Sequence, residues 1–283
     1  MALHKVIVAE SASLSSMSPQ RRYLDDLRLA HVLADKADDL SMRRFQAQDL
    51  QVEAKPDATP VTDADRAIED TLRNMLSHSR SRDSVYGEER GQFGAASRQW
   101  IIDPIDGTKN FVREVPVWAT LIGLAEEGEM VLGLVSAPAL GRRWWAAKEL
   151  SAFTGRSLMR CREIHVSAVG NLQDASLSYS SLTGWIERDR GQEFLNLHSR
   201  VWRTRAFGDF WSYMLVAEGA VDIATEPELE TYDMAALVAI VEEAGGKFTS
   251  LTGKNGPWGG NALATNGLLH EQVLELLNWP IEA

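Results

Sequence analysis

The chain has 283 residues, 45% of them hydrophobic, with a formal net charge of −11 and one cysteine, Cys161. This suffices for one large core or two joined ones, while the charge argues against a nucleic-acid backbone as partner and the lone cysteine excludes a disulfide framework, as befits a reducing, cytoplasmic setting. No apolar run approaches the length of a membrane span.

Residues 1–18 read as a flexible leader. Met1 to Ser16 is rich in Ala and Ser, and Val6-Ile7-Val8-Ala9 is too short for a signal-peptide core. Met17, just before Ser18-Pro19, stands close to the expected structural start. From Arg21 to Gln48, Leu24, Leu27, Ala30, Ala34, Ala37 and Met42 fall at helical spacing and predict a long amphipathic helix. Two prolines mark Lys55 to Pro60 as a loop. Thr62 then caps a second helix with Ile68, Leu72, Met75 and Leu76 inward.

Strands follow at Val85-Tyr86 and at Trp100 to Asp103. Ala119–Ala125 and Met130–Ser136 flank Glu126-Glu127-Gly128-Glu129 as a hairpin, and Trp144–Ala147 pairs with Ala152-Phe153 across another. The second half alternates. Strands are expected at Ser176–Ser181, Arg203–Phe207, Val221–Ala224 and Lys247–Ser250. Helices are expected at Trp185–Val201, Trp211–Glu218, Thr231–Ala244 and His270–Asn278. The expected units are residues 19–156 and 157–283, the first a metal-binding and the second a substrate-binding part.

Chemistry concentrates in Asp103-Pro104-Ile105-Asp106-Gly107-Thr108, which follows the apolar run Trp100-Ile101-Ile102. Two carboxylates turned into one small space repel each other unless a cation lies between them. The segment beyond offers backbone N–H groups to an anion. A hard cation beside an anion site is the working part of a metal-assisted phosphatase. Each acid also has a plainer reading. Asp103 and Asp106 are turn formers, Asp65 closes a capping box on Thr62, Asp233 answers a helix dipole, and Glu88-Glu89 are solvated acids after Gly87. The aspartate motif of haloacid-dehalogenase-type phosphatases fits poorly, because here two residues separate the acids.

Four stretches together resemble the inositol monophosphatase-like superfamily of magnesium-dependent phosphatases. They are Pro60-Val61-Thr62-Asp63-Ala64-Asp65, Gly87-Glu88-Glu89, Trp100 through Thr108 with Asn110-Phe111, and Tyr232-Asp233-Met234-Ala235-Ala236 with Glu243-Ala244-Gly245-Gly246. The resemblance runs from about Asp25 to the C-terminus, with Tyr232 where the family usually has Trp. It implies an α/β fold, an α+β sandwich of alternating α-β-α-β-α layers shared with fructose-1,6-bisphosphatase.

It also implies roles. Glu88, Asp103 and the Ile105 carbonyl would hold one Mg²⁺, and Asp103, Asp106 and Asp233 a second, with Glu88 helping a third. Asp65 and Thr108 would orient and deprotonate the attacking water. The N–H groups of Gly107 and Thr108 would take the phosphate. Lys55 matches a family lysine near the site, and Glu226 a glutamate that contacts the leaving group. Asp209 and Arg205 are further candidates for substrate contact.

The acids Glu226, Glu228 and Glu230 make sense beside a phosphate if the alcohol is cationic. The run from Asp106 to Arg113 and on through Val115-Pro116-Val117-Trp118-Ala119-Thr120 is similar to the histidinol-phosphatase branch. The implied reaction is hydrolysis of L-histidinol phosphate. Inositol monophosphatase, fructose-1,6-bisphosphatase and 3′-phosphoadenosine phosphatase remain alternatives, as does an inactive binding relative, although the full set of acids and Thr108 is present. The family implies a homodimer, while the charge and the lack of a long apolar run speak against a nucleic-acid or membrane partner. Trp144 and Trp145 on one strand face opposite sides, which puts one of them at a partner subunit or the site rim. The histidines lie near none of the motifs, and Cys161 reads as an inert thiol.

Overall fold

A computed structural model describes residues 19–56 and 59–280; the expected leader lies outside the described residues. In the first half the elements are α1 (Pro19–Arg44), β1 (Val52–Ala54), β2 (Pro60–Thr62), α2 (Asp63–Ser79), β3 (Ser84–Gly87), β4 (Gly91–Phe93), β5 (Arg98–Asp106), α3 (Thr108–Val112), β6 (Ala119–Glu126), β7 (Glu129–Ala137), β8 (Arg142–Ala147) and β9 (Ala152–Ser157). Then come β10 (Arg160–Ile164), β11 (Ser176–Ser178), α4 (Thr183–Glu187), α5 (Gly191–His198), β12 (Arg203–Arg205), α6 (Asp209–Ala217), β13 (Ile223–Glu226), α7 (Thr231–Glu243), β14 (Lys247–Thr249), β15 (Ala262–Thr265) and α8 (His270–Leu277).

The large sheet has the order β10-β9-β8-β7-β6-β5-β3-β4 and is antiparallel except where β3 meets β5. The smaller sheet, β12-β11-β13-β15-β14, is mixed. Helices α1 and α2 cover one face of the large sheet, with Leu27, Ile68 and Leu72 against Trp100, Ile122 and Leu134. Between the sheets lie α6 and α7, where Met214, Met234 and Leu237 meet Leu121 and Val135 on one side and Ala224 and Phe248 on the other. Trp185, Phe194 and Val273 of α4, α5 and α8 close the outer face of the small sheet over Leu177 and Ile223. The layers therefore run α-β-α-β-α.

Helix α7 shows why the layering works. Every residue from Met234 to Val241 is buried, where a surface helix would show a stripe. A helix between two sheets has no wet side. It lies close to the large sheet because Gly123 and Gly133, opposite each other on β6 and β7, present no side chain. A Cβ on Gly133 would come within 2.0 Å of the Ala236 carbonyl oxygen.

Three expectations need correction. Met42 is 44% exposed. It lies about 140° around the helix from Ala37, and the inward position belongs instead to Ser41, whose hydroxyl donates to the Ala37 carbonyl. Trp144 and Trp145 do face opposite sides, but neither meets a rim or a partner, since both are fully buried. Both faces of the sheet are covered, so Trp145 enters the core under α1 and Trp144 the core under α6. The single helix expected over Trp185–Val201 is two, α4 and α5, broken at Asp189, whose φ is +55°.

Candidate functional site

The acids meet at one end of the large sheet. Residues three apart on a regular strand point to opposite faces. In β5 the pairing with β6 shifts between Asp103 and Asp106. A bulge of this kind re-aims side chains, and here it turns both carboxylates the same way. Gly107 continues with φ +82°, a left-handed conformation that costs glycine little, and a Cβ there would also sit 3.2 Å from Asp209 Oδ2. The Thr108 hydroxyl donates to the Ile105 carbonyl at 2.9 Å, which places that oxygen beside the start of α3.

Each remaining acid arrives on its own element. Asp65 is the third residue of α2; its Oδ2 accepts from the Thr62 amide at 2.8 Å and the Thr62 hydroxyl at 2.6 Å. The capping-box reading thus accounts for one oxygen, while Oδ1 is buried without a partner. Asp233 repeats the device on α7, accepting the Glu230 amide at 2.8 Å. Glu88 and Glu89 lie at the tip of the β3–β4 hairpin.

Two groups of carboxylates result. Asp103, Asp106 and Asp233 each bring an oxygen within 4.8 Å of the others, as do Asp65, Glu88 and Glu89. The charge of Glu88 also acts on Asp103, so the two groups feel each other. Burial, then the neighbouring charges, raises Asp103 and Asp106 well above the usual carboxylate range. Burial likewise lifts Asp65 and Asp233 to about 7. Lys55 is the nearby cation, 2.6 Å from Glu88 Oε1 and 2.7 Å from Glu89 Oε1. The buried Asp103 Oδ1 has no partner. Oxygen-only donors with open lone pairs and excess negative charge fit a hard divalent cation.

A cleft of ≈ 770 Å³ opens onto Glu88, Asp106 and Asp233. Lys55, Gly107, Thr108, Asp209 and Glu226 are among the residues that line it. Glu226 accepts the Ser180 amide, and burial pushes its carboxyl up to about 8. Asp209 has φ +46° and accepts from Asn110 at 3.1 Å. Arg205 does not line the cleft. It is exposed at the end of β12 and donates to the Thr204 carbonyl, so its expected substrate contact has no counterpart. Glu228 and Glu230 line the cleft as well, Glu228 being exposed and paired with Arg188, while Glu226 and Asp209 are its more buried acids on the small-sheet half.

Two residues escaped the sequence reading. Glu89 was passed over as a solvated acid, yet it groups with Asp65 and Glu88. Glu69 was not singled out, although it is fully buried in α2. The available signal was a charged residue between the inward positions Ile68 and Leu72, one turn after Asp65 and one before Arg73.

The sequence profile of the inositol monophosphatase family matches residues 25–279. The chain belongs to that family. It is 62% identical to a histidinol-phosphatase of Streptomyces coelicolor over 260 residues, covering 90% of this chain and 98% of that one. A histidinol-phosphatase of Mycobacterium tuberculosis is 57% identical, with 90% and 98% covered. Among solved structures, an inositol monophosphatase from Zymomonas mobilis superposes with a TM-score of 0.81 at 34% identity, covering 93% of this chain and all of that one. The family is metal-dependent, in keeping with the acid groups.

Proposed function

We propose that this chain is a Mg²⁺-dependent histidinol-phosphatase, cleaving L-histidinol phosphate to L-histidinol and phosphate. One observation carries the chemistry: buried carboxylates from β5, α2, α7 and the β3–β4 hairpin converge with open oxygen lone pairs at the mouth of a cleft. Identity near 60% to histidinol-phosphatases over nine-tenths of the chain supports the substrate.

Asp103, Asp106 and Asp233 would hold one ion, and Glu88, Asp103 and the Ile105 carbonyl another, with Glu88 also serving a third, weaker one. Bound ions supply positive charge to the phosphoryl oxygens and acidify water. Around them the chain does the positioning. The N–H groups of Gly107 and Thr108 lie at the start of α3, where a helix leaves its donors unpaired, and they face the phosphate. The Thr108 hydroxyl orients the attacking water. Asp65 Oδ1 takes the proton that this water loses. The water oxygen forms the new P–O bond while the ester P–O bond breaks, and the departing alkoxide takes a proton from solvent water in the open cleft.

Glu226 and Asp209 face the alcohol. A buried carboxylate regains its charge when a cation pairs with it, and histidinol carries an ammonium and an imidazole, whereas inositol is neutral. Lys55 screens Glu88 and Glu89 at the edge of the phosphate site. We further infer a cytoplasmic homodimer. The exposed Ile186, Leu195 and Trp202 support an interface, and the lone free cysteine suits a reducing compartment. Light scattering should return twice 31.4 kDa; a monomeric mass refutes the dimer.

Turnover of histidinol phosphate, inositol 1-phosphate, fructose 1,6-bisphosphate and 3′-phosphoadenosine compounds with Mg²⁺ tests the assignment. Histidinol phosphate should lead in kcat/KM by at least about tenfold, the lower bound for one hydrogen bond to a charged group. A lead for inositol 1-phosphate sinks the substrate, and no turnover of any ester sinks the reaction.

A further inference from the structure

The hairpin that brings Glu88 and Glu89 to the site is weak in itself. Its outer strand β4 is three residues long and lies at the sheet edge. The tip Glu88-Glu89-Arg90 spans only Gly87 to its partner Gly91. What holds the tip is a side chain of α2. The carboxylate of Glu69, fully buried, accepts the Glu89 amide on Oε2 at 2.6 Å and the Arg90 amide on Oε1 at 3.0 Å.

The counter-charge comes from the same helix. Arg73 Nε donates to Glu69 Oε1 at 2.7 Å, and the guanidinium reaches on to the carbonyls of Val85 and Gly91 at either side of the tip. Asp65, Glu69 and Arg73 are spaced at i, i+4 and i+8, so they stack along one face of α2. Gly87 makes the room, since a Cβ there would come within 2.4 Å of Glu69 Oε1. A buried ion pair is a poor device for stability alone, because apolar residues of equal volume do as well or better. Its two charge-assisted bonds to consecutive amides instead fix a direction.

We propose that Glu69 is a positioning residue for divalent-ion binding: its carboxylate sets the β3–β4 tip so that Glu88 and Glu89 face Asp65 and Asp103. This rests on the metal-dependent reading above. Glu69 itself touches neither ion nor substrate. Arg73 pairs with it and ties the tip to the helix that also carries Asp65.

The test is Mn²⁺ binding, followed by electron paramagnetic resonance on the full chain without substrate. Glu69→Gln loses the charge that draws in the two amides, and Gly87→Ala displaces the same carboxylate while leaving its charge. Both should bind Mn²⁺ at least tenfold more weakly than the unaltered protein. In turnover, the Mg²⁺ concentration for half-activation should rise by a similar factor, while KM for the ester at saturating Mg²⁺ stays within twofold. Asp26→Asn is the control, since it removes an equally buried acid remote from the cleft, and it should leave Mn²⁺ affinity unchanged even where the melting temperature falls as far.

Unchanged Mn²⁺ affinity in folded Glu69→Gln overturns the proposal, and so does equal weakening in Asp26→Asn. Should Glu69→Gln fail to fold, Gly87→Ala decides alone by the same criterion. An unaltered protein that binds no Mn²⁺ would instead overturn the metal-dependent reading and the proposal with it.

Discussion

Asp26 and Asp103 are equally buried, each 1% exposed, and have opposite surroundings. Asp26, on α1, receives Arg80 Nε on one oxygen and Arg98 Nη2 on the other, both at 2.7 Å. Asp103 has Asp106, Asp233, Glu88 and Asp65 for neighbours, and an oxygen with no partner. The chain evidently has the means to neutralise a buried acid, since it does so for Asp26 with two arginines and for Glu69 with one. Around Asp103 it leaves several acids together without a guanidinium, an arrangement in keeping with the family's metal dependence. The difference separates an acid neutralised within the chain from one whose neighbours add to its charge.

The largest effect should come from Asp106→Asn. The amide keeps the shape of the bulge and removes one charge from the group with Asp103 and Asp233. Turnover should fall by about 10²–10³, as when other charge-stabilising groups are removed from active sites. The metal-free protein should melt no lower than the unaltered one, because a repulsion is lost. Near-normal kcat would erase the distinction between the two kinds of acid.

Asp26→Asn should do the reverse. Arg80 and Arg98 would be left facing a neutral group, at a cost of about 3 kcal/mol in unfolding free energy, read by chemical denaturation. The kcat of the folded fraction should not change. A large loss of turnover at constant stability would show that Asp26 is not merely structural.

The smallest effect is a slope with pH. Asp65 and Asp233 are raised to about 7 and Glu226 to about 8. The folded metal-free protein therefore keeps protons that the unfolded chain has already released above about pH 4. The stability these groups contribute is fully present below that pH and is lost as pH rises through 7 to 8. His31 and His270, lowered to about 4 by burial, act the other way, losing stability as pH falls from about 6.5. Between pH 6.5 and 8.5 the acids should dominate, so the melting temperature of the metal-free protein should fall by a few degrees. Saturating Mg²⁺ should flatten the slope and raise the melting temperature most at the alkaline end. A melting temperature that rises with pH without metal would contradict the carboxylate shifts.

Much of the fold was legible because its signals are local. Helix spacing in α1 and α2, the Thr62 cap, the β6–β7 hairpin and the Gly245-Gly246 stop each follow from a few adjacent residues. β4, β10 and β15 were not read, being short segments whose strand character comes from the neighbours they pair with. The face on which Arg205 lies depends on where β12 joins the small sheet. Glu69 was hidden for a similar reason. A single acid on an otherwise apolar helix face announces nothing until the amides of Glu89 and Arg90, twenty residues on, are seen to reach it.

From the order of its residues alone, this chain declares its phosphatase chemistry, because carboxylates at Asp65, Glu88, Asp103, Asp106 and Asp233, with Thr108 after the glycine, carry the family's pattern in linear form. Only the folded molecule decides which oxygen of each acid is spent on the fold and which is left open. Capping takes one oxygen of Asp65 and one of Asp233, the Phe210 amide takes one of Asp106, and Asp103 keeps a free one. Such an allotment depends on distances between remote segments, which no stretch of sequence contains.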